Sequence, residues 1–592
     1  MNKRFPRHLP TLLLFAVLTG FLAFPVVDIA ARGGVPGWEG DNLYYVHSMW
    51  WWKHSLFELK TSPFVDPESF YPVGRENGRS ELTASNTIAA LPLTAACGPV
   101  AAYNVTLLAT FVLTGFFTYL WVRHLTGRWD AGVLAGVVAA FMPFRFAHLP
   151  GHLPLMATQW VALTLYATER FIDRRTLLRG LAVGASVSCV VLASWYLAYA
   201  LAFMLPLYIV LRTARGPVWR DPRWWLGLAA AGAAAALVSS PFLYEMLRLH
   251  GQGQLGRSLA EMDVWALNPY DIFLPNPLHP LYGDAVRRAF PYERPFWVEK
   301  GVTVGLAAAA VAAIGWFSAR RKAAVAGALA GVWLASYVIA LGPTLHWAEE
   351  KVRVPVPPVV AGAAARMLVG AGQDAAMTAY RDSFIRSGVP IPLPSAFMYK
   401  FVPLTSSMRV MTRFAMWTAF MTAALAGFGL IALTGWAERR WGASLRGAVP
   451  AILVSLVLFE SMSVIPVMPL EPRPVDTWLA AQPDDVVIVE LPVGQAVRPL
   501  QNYWKTVNQR KNFFGWVGDS FPPAVQAERA AALIDFPSPA ALEYLRKSSV
   551  THLLVTPSHV PDWPSTESVL RNTPALADEM VLEDVRVYRV VR

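Results

Sequence analysis

Two carboxylates stand either side of a single glycine in Trp38-Glu39-Gly40-Asp41-Asn42. Such a pair can bind a divalent cation, or one member can serve as a general base. Acidic residues on loops are mostly plain solvated surface, so position has to decide. Here the pair comes shortly after the apolar run Leu9 to Val27 and precedes Tyr44, Tyr45, His47, Trp50, Trp51 and Trp52, with Lys53 and His54 after them. Aromatic and basic residues in that density belong at a membrane headgroup interface. An interfacial anchor accounts for the tryptophans, but not for Glu39 and Asp41 so close to a bilayer.

A second group lies in Pro143-Phe144-Arg145-Phe146-Ala147-His148-Leu149-Pro150-Gly151-His152, a turn between two apolar runs. Arg145, His148 and His152 can contact phosphate or sugar hydroxyls, or move a proton near neutral pH. No third ligand is spaced to make these histidines a zinc site. Arg409 and Arg413 stand four apart at the start of another apolar run, so on a helix they share a face. Two guanidiniums at headgroup depth suit a phosphate or diphosphate, although ordinary lipid headgroups would also satisfy them. Glu261, Asp263, Asp271, Asp284, Glu293 and Glu299 are further acids in the long loops, and Glu299 is nearest to an apolar run. There is no phosphate-binding glycine loop, nucleophile elbow or His-Glu-x-x-His helix, which argues against nucleotide-driven chemistry.

The elements that must position these residues follow from composition. The chain has 592 residues, 55% hydrophobic and 15% charged, which excludes a soluble enzyme and a disordered chain. A net charge of +11 would suggest nucleic acid in a soluble protein, but basic loops are normal for a membrane protein. Cys97 and Cys189 are the two cysteines, so no disulfide framework follows. Eleven apolar runs begin at Leu9, Ala101, Ala131, Leu153, Leu178, Tyr196, Leu226, Val302, Ala323, Phe414 and Ala448. A shorter run, Thr83 to Ala96, reads as a re-entrant or interfacial helix. On that assignment the clusters Lys3/Arg4/Arg7, Arg123/Arg128, Arg170/Arg174/Arg175/Arg179, Arg212/Arg215/Arg220/Arg223, Arg320/Arg321/Lys322 and Arg439/Arg440/Arg446 share one side. By the positive-inside rule that side is the cytoplasm.

The expected fold is therefore mainly α: a polytopic membrane domain over residues 1–470 with about 11 transmembrane helices. Its long outer loops are 28–101, 244–301 and 346–413, the N-terminus is inside, and an α/β periplasmic domain spans 475–592. In that domain Val486 to Leu491, His552 to Val555 and Val585 to Val591 read as strands, and Pro523 to Leu533 and Ala540 to Leu545 as helices. Pro466, Pro469, Pro472 and Pro474 suggest a stiff linker before it.

Gly40-Asp41 after the first run, Phe70-Tyr71-Pro72-Val73-Gly74, Gly98 to Asn104, Pro143 to His152 with Gln159-Trp160, and Arg409 to Phe414 together resemble the GT-C superfamily of polytopic glycosyltransferases. The resemblance runs over most of the membrane region and points to a group of bacterial inner-membrane proteins. It implies a catalytic base at Asp41, in some members with a divalent cation (Mg or Mn); by the reading of the acidic pair, Glu39 and Asp41 would be its ligands. It also implies a polyprenyl-phosphate or diphosphate sugar donor, and an acceptor that is a glycan, lipid or protein. Arg409, Arg413, Arg145, His148, His152 and Glu299 are the candidate substrate contacts set beside it. A second acidic motif used by oligosaccharide-transferring members is not identifiable. A lipid-linked glycan flippase and a non-catalytic envelope assembly protein are the alternatives. A flippase would need polar residues inside spans and internal repeats.

Overall fold

The computed structural model describes residues 8–79, 81–214, 216–251, 256–290, 294–319, 323–369, 375–516 and 523–591. Lys3, Arg4, Arg7, Arg215, Glu293, Arg320, Arg321 and Lys322 lie outside the described residues. The chain is mainly helical and divides into two compact units. One takes residues up to Phe24 with Leu107–Leu149 and Leu153–Ile465; the other takes Pro25–Thr106, Pro150–His152 and Pro466–Arg592.

Among the described residues seven helices are long and apolar enough to cross a membrane. An eighth follows if Leu9–Leu22 and Phe24–Ala31, bent by 79° to each other, form one broken span. The expectation was eleven, and the difference has local causes. The run from Val302 yields a helix only from Leu306 to Ala319, because Gly305 has a φ of +86° and the residues before it are not helical. The run from Leu153 is split into Leu153–Met156 and Gln159–Asp173, and Leu177–Ala193 is likewise short. The Thr83 to Ala96 run is helical and leads, through a break at Gly98, into the continuation that ends at Thr126.

In the first unit, apolar helices approach through small residues, as expected where lipid removes the hydrophobic drive for association. A Cβ at Gly315 would fall 1.8 Å from the Leu425 carbonyl oxygen, and one at Gly429 would fall 1.9 Å from that of Val311. These contacts seat Leu306–Ala319 on Ala415–Trp441. Gly180 and Gly184 do the same against Gly227 and Ala231. Hydroxyl pairs add lateral bonds, with Ser336 and Thr418 Oγ atoms 2.9 Å apart and Trp333 Nε1 donating to Thr422 at 3.0 Å.

The second unit is built on a five-stranded mixed sheet in the order Lys511–Asn512, Val487–Leu491, His552–Val555, Val585–Val590, Leu576–Leu582. The first three strands are parallel and the last two antiparallel to their neighbours. Val487–Leu491 is buried throughout, the signature of a central parallel strand covered on both faces. Helices Pro523–Leu533 and Pro539–Lys547 match the helical segments expected from sequence. Residues 475–592, expected as a periplasmic domain, share one compact unit with residues 25–106. The proline-rich segment is a paired strand within it: Val467–Met468 runs antiparallel to Val35–Pro36. At the far edge, the Asn512 amide donates to the Glu68 carbonyl at 2.8 Å and the Tyr71 amide to the Asn512 carbonyl at 2.9 Å, so the first long loop extends the sheet.

Candidate functional site

The turn carrying Asp41 is shaped by two glycines. Gly37 has a φ of +104°, and a Cβ there would lie 2.4 Å from the Pro150 carbonyl oxygen, so both backbone conformation and space demand glycine. Its amide donates to the Pro466 carbonyl at 2.7 Å. Gly40 is extended and precedes the helix Asp41–Lys53. Asn42 Nδ2 donates to the Pro36 carbonyl at 2.9 Å and closes the turn from the helical side. Asp41 thus occupies the first position of a helix, where the macrodipole favours its anionic form. Its side chain is 48% exposed, and His152 Nε2 stands 3.9 Å from its Oδ2, within ion-pair range but beyond a hydrogen bond. Burial first, then the charges of Glu81 and Asp41, push the Tyr45 hydroxyl well above its usual range, so that phenol stays neutral.

Glu39 is held differently. Arg498 Nε donates to its Oε1 at 3.0 Å and Nη2 to its Oε2 at 2.7 Å. With both oxygens engaged by a guanidinium, Glu39 does not suit a cation, and the expected Glu39/Asp41 pair does not fit a two-carboxylate metal site.

The aromatic segment is not interfacial. Tyr44, Tyr45, His47, Trp50, Trp51 and Trp52 are all buried within the protein, where Trp50 stacks on His54 at 4.5 Å and Trp51 Nε1 donates to the Pro63 carbonyl at 3.0 Å. Hydropathy alone cannot separate an aromatic helix at a headgroup boundary from one enclosed by the rest of its unit.

That helix walls a buried charge cluster the sequence reading passed over. Asp66 accepts from the Glu68 amide at 3.0 Å, the Ser69 amide at 3.1 Å and Ser69 Oγ at 2.7 Å. Arg75 Nη2 lies 3.5 Å from its Oδ2 and 3.2 Å from His47 Nδ1. Burial alone would raise the Asp66 carboxyl, but Arg75, Lys505, His47 and the Ser69 hydroxyl outweigh it and hold it at about 2. Burial and Arg75 push His47 well below its usual range, so it is neutral. Lys505 Nζ reaches Glu68 Oε2 at 3.1 Å and the Arg510 carbonyl at 2.6 Å, and His54 Nε2 lies 3.5 Å from Glu68 Oε1. Burial would lower His54, but its bonds to Glu68 and Glu58 raise it overall. The local signal was Asp66-Pro67-Glu68-Ser69, a turn in which an aspartate accepts from the amides that follow it.

In the first unit, Arg413 Nη2 donates to Glu299 Oε1 at 2.6 Å and Nε to Oε2 at 3.3 Å, both residues being buried. The guanidinium lies 3.9 Å from the centre of the Tyr196 ring, and His148 Nε2 is 3.9 Å from Glu299 Oε2. Three of the sequence candidates, His148, Glu299 and Arg413, therefore meet. Arg409 does not join Arg413 on a helical face as expected. Met408 and Val410 are extended, and Arg413 falls in the 3₁₀ turn Met411–Phe414 ahead of the helix Ala415–Trp441. Arg409 packs instead over Trp265 at 5.4 Å. Arg145 is fully buried. It donates to Thr114 and Thr110 at 3.0 Å each and to Thr158, and lies 4.5 Å over Phe111. Of the other loop acids, Asp263 is buried and bound to Lys351 at 2.6 Å, Thr344 at 2.6 Å and Tyr380 at 2.9 Å.

Residues 93–368 match a family described as a domain of unknown function, DUF6311. No curated protein matches the chain. Among solved structures it is similar to the oligosaccharyltransferase AglB from Archaeoglobus fulgidus, captured with an inhibitory peptide and a dolichol-phosphate, at 14% identity and a TM-score of 0.45, covering 93% of this chain and 69% of that one. The mycobacterial arabinofuranosyltransferase AftD is similar at 14% identity and a TM-score of 0.49 over 98% of this chain and 41% of its own. ArnT from Cupriavidus metallidurans, bound to undecaprenyl phosphate, is similar at 12% identity and a TM-score of 0.43, covering 98% of both chains.

Proposed function

We propose that the chain is a bacterial inner-membrane glycosyltransferase that moves a sugar from a polyprenyl-phosphate or diphosphate donor to an acceptor at the periplasmic face. The observation that carries this reading is the state of Asp41. It is a half-exposed carboxylate at the start of a helix, on a braced turn with an imidazole beside it, whereas Asp66 of the same loop is fully buried.

In the reaction, Asp41 accepts the proton of the acceptor hydroxyl as that oxygen attacks the anomeric carbon. The bond from that carbon to the phosphate oxygen breaks, and its electron pair leaves with the lipid phosphate. His152, 3.9 Å from Asp41, offers a second place for the proton. Arg409 and Arg413 are the proposed phosphate contacts, the charge of Arg413 being balanced by Glu299. Since Arg498 occupies both oxygens of Glu39, the base in this scheme is Asp41 alone and no step depends on a metal.

A flippase for lipid-linked glycans is the second reading, and Arg145 favours it: a fully buried cation inside a helix long enough to cross a membrane is a feature of substrate paths. The test is transfer of radiolabelled sugar from a panel of polyprenyl-phosphate sugars in membranes carrying wild type or Asp41→Asn, with and without chelator. Transfer by wild type that survives chelator and disappears in the variant is expected. No transfer from any donor by a folded wild-type protein would overturn the enzyme reading in favour of the flippase or of a non-catalytic assembly protein.

A further inference from the structure

Glu39 lies two residues before Asp41, yet its carboxylate faces a partner far along the chain. The Arg498 fork meets both of its oxygens, and the Leu500 amide approaches Oε1 at 3.4 Å. The guanidinium is itself fixed, since Nη1 donates to Gln495 Oε1 at 2.9 Å and the group lies 6.0 Å from the Trp504 ring centre. On the other side of the turn, the Gly37 amide is tied to the Pro466 carbonyl and Val35–Pro36 is paired with Val467–Met468. The three-residue stretch between Gly37 and Asp41 is therefore held by the C-terminal part of the same unit, at Gly37 before it and at Glu39 within it.

We propose that Arg498 is a positioning residue: it fixes the Trp38–Gly40 turn through Glu39 and so sets the direction of the Asp41 carboxylate, without touching substrate. For its effect on catalysis this rests on the function proposed above. The physical reason is that glycines at 37 and 40 leave the turn more conformational freedom than any other residues would. A planar fork on a carboxylate removes that freedom, because two parallel bonds fix orientation as well as distance. The pair is 30% and 26% exposed, so its contribution to overall stability is small and its value is geometric. A catalytic group displaced by about 1 Å loses on the order of a hundredfold in rate.

The experiment uses full-length protein in membranes and two readouts. In sugar transfer, Arg498→Ala and Glu39→Gln are expected to lower kcat by about tenfold or more with both KM values unchanged, as for loss of orientation rather than of binding. Arg498→Lys, a point charge without the fork, should fall between, and the double variant Glu39→Arg/Arg498→Glu should recover most of the loss. In hydrogen exchange, amides of residues 38–43 should exchange faster in Arg498→Ala while those of Val487–Leu491 keep their protection. Unchanged kcat with unchanged exchange, or a change in KM alone, would overturn the proposal. Should wild type transfer no sugar, the exchange experiment still decides it: faster exchange confined to 38–43 upholds the clamp, and unaltered exchange removes it.

Discussion

Two acidic pairs of the same spacing stand in the first long loop, Glu39 with Asp41 and Asp66 with Glu68, and the fold handles them in opposite ways. Asp66 is fully buried, accepts three hydrogen bonds from its own turn and faces Arg75. Glu68 is matched by Lys505 and His54. Asp41 is half exposed, with an imidazole near it and a helix start beneath it, and Glu39 stands between the two conditions, paired but at the surface. A carboxylate whose lone pairs and charge are satisfied inside the protein holds structure; Asp41 instead keeps about half of its side chain exposed to solvent. The comparison distinguishes the two pairs by exposure where residue type and spacing do not.

The sharpest way to break it is Asp41→Asn. Removing a positioned general base costs about a hundred- to ten-thousandfold in rate, so transfer should fall by that much while thermal unfolding stays near wild type. Next comes Asp66→Asn, which leaves Arg75 buried without its opposing charge; losing one partner of a buried pair costs about 3–5 kcal/mol. That variant should show a lowered unfolding midpoint in detergent, and a midpoint equal to wild type would mean the buried pair holds nothing.

Acid gives a third test with a definite sign. The Asp66 carboxyl is held at about 2 against an ordinary 3.8. Its contribution to stability is therefore complete above pH 4 and is lost as pH falls toward 2, in the amount of about 2 kcal/mol. Glu68 and Glu58 are also held low and add the same sign. Between pH 4 and 6.5, neutral His47 and raised His54 oppose each other, so denaturant midpoints should change little there and drop below pH 4. A midpoint flat from pH 4 to 2 would contradict the assignment. The smallest effect belongs to Glu39→Gln, where a part-exposed ion pair is worth up to about 1 kcal/mol; its unfolding midpoint should move correspondingly little, even though its turnover falls.

The setting of Asp41 was legible because it is defined locally, by an apolar run before it and a helix that starts at it. The brace was not, because its partners are remote: Lys505 and Arg498 come from the C-terminal part of the chain, and nothing in the residues around Glu68 or Glu39 points to them. The aromatic segment Tyr44 to Trp52 was visible as apolar, but its burial inside the unit depends on the helix Leu500–Asn508 and the loop around Pro63. Arg409 and Arg413 were placed on one face by counting four residues, which holds only where the backbone between them is helical, and Val410 is extended. The general helical membrane character was plain from composition. The number of spans was not, since Gly305 and the break between Met156 and Gln159 shorten helices whose hydropathy runs on.

The most direct test is transfer activity per folded molecule for Asp41→Asn and Asp66→Asn, measured side by side with the unfolding midpoint of each. The account predicts that Asp41→Asn keeps its midpoint and loses transfer, while Asp66→Asn loses midpoint and keeps transfer in whatever fraction remains folded. Transfer retained by Asp41→Asn, or abolished by Asp66→Asn at an unchanged midpoint, would contradict it.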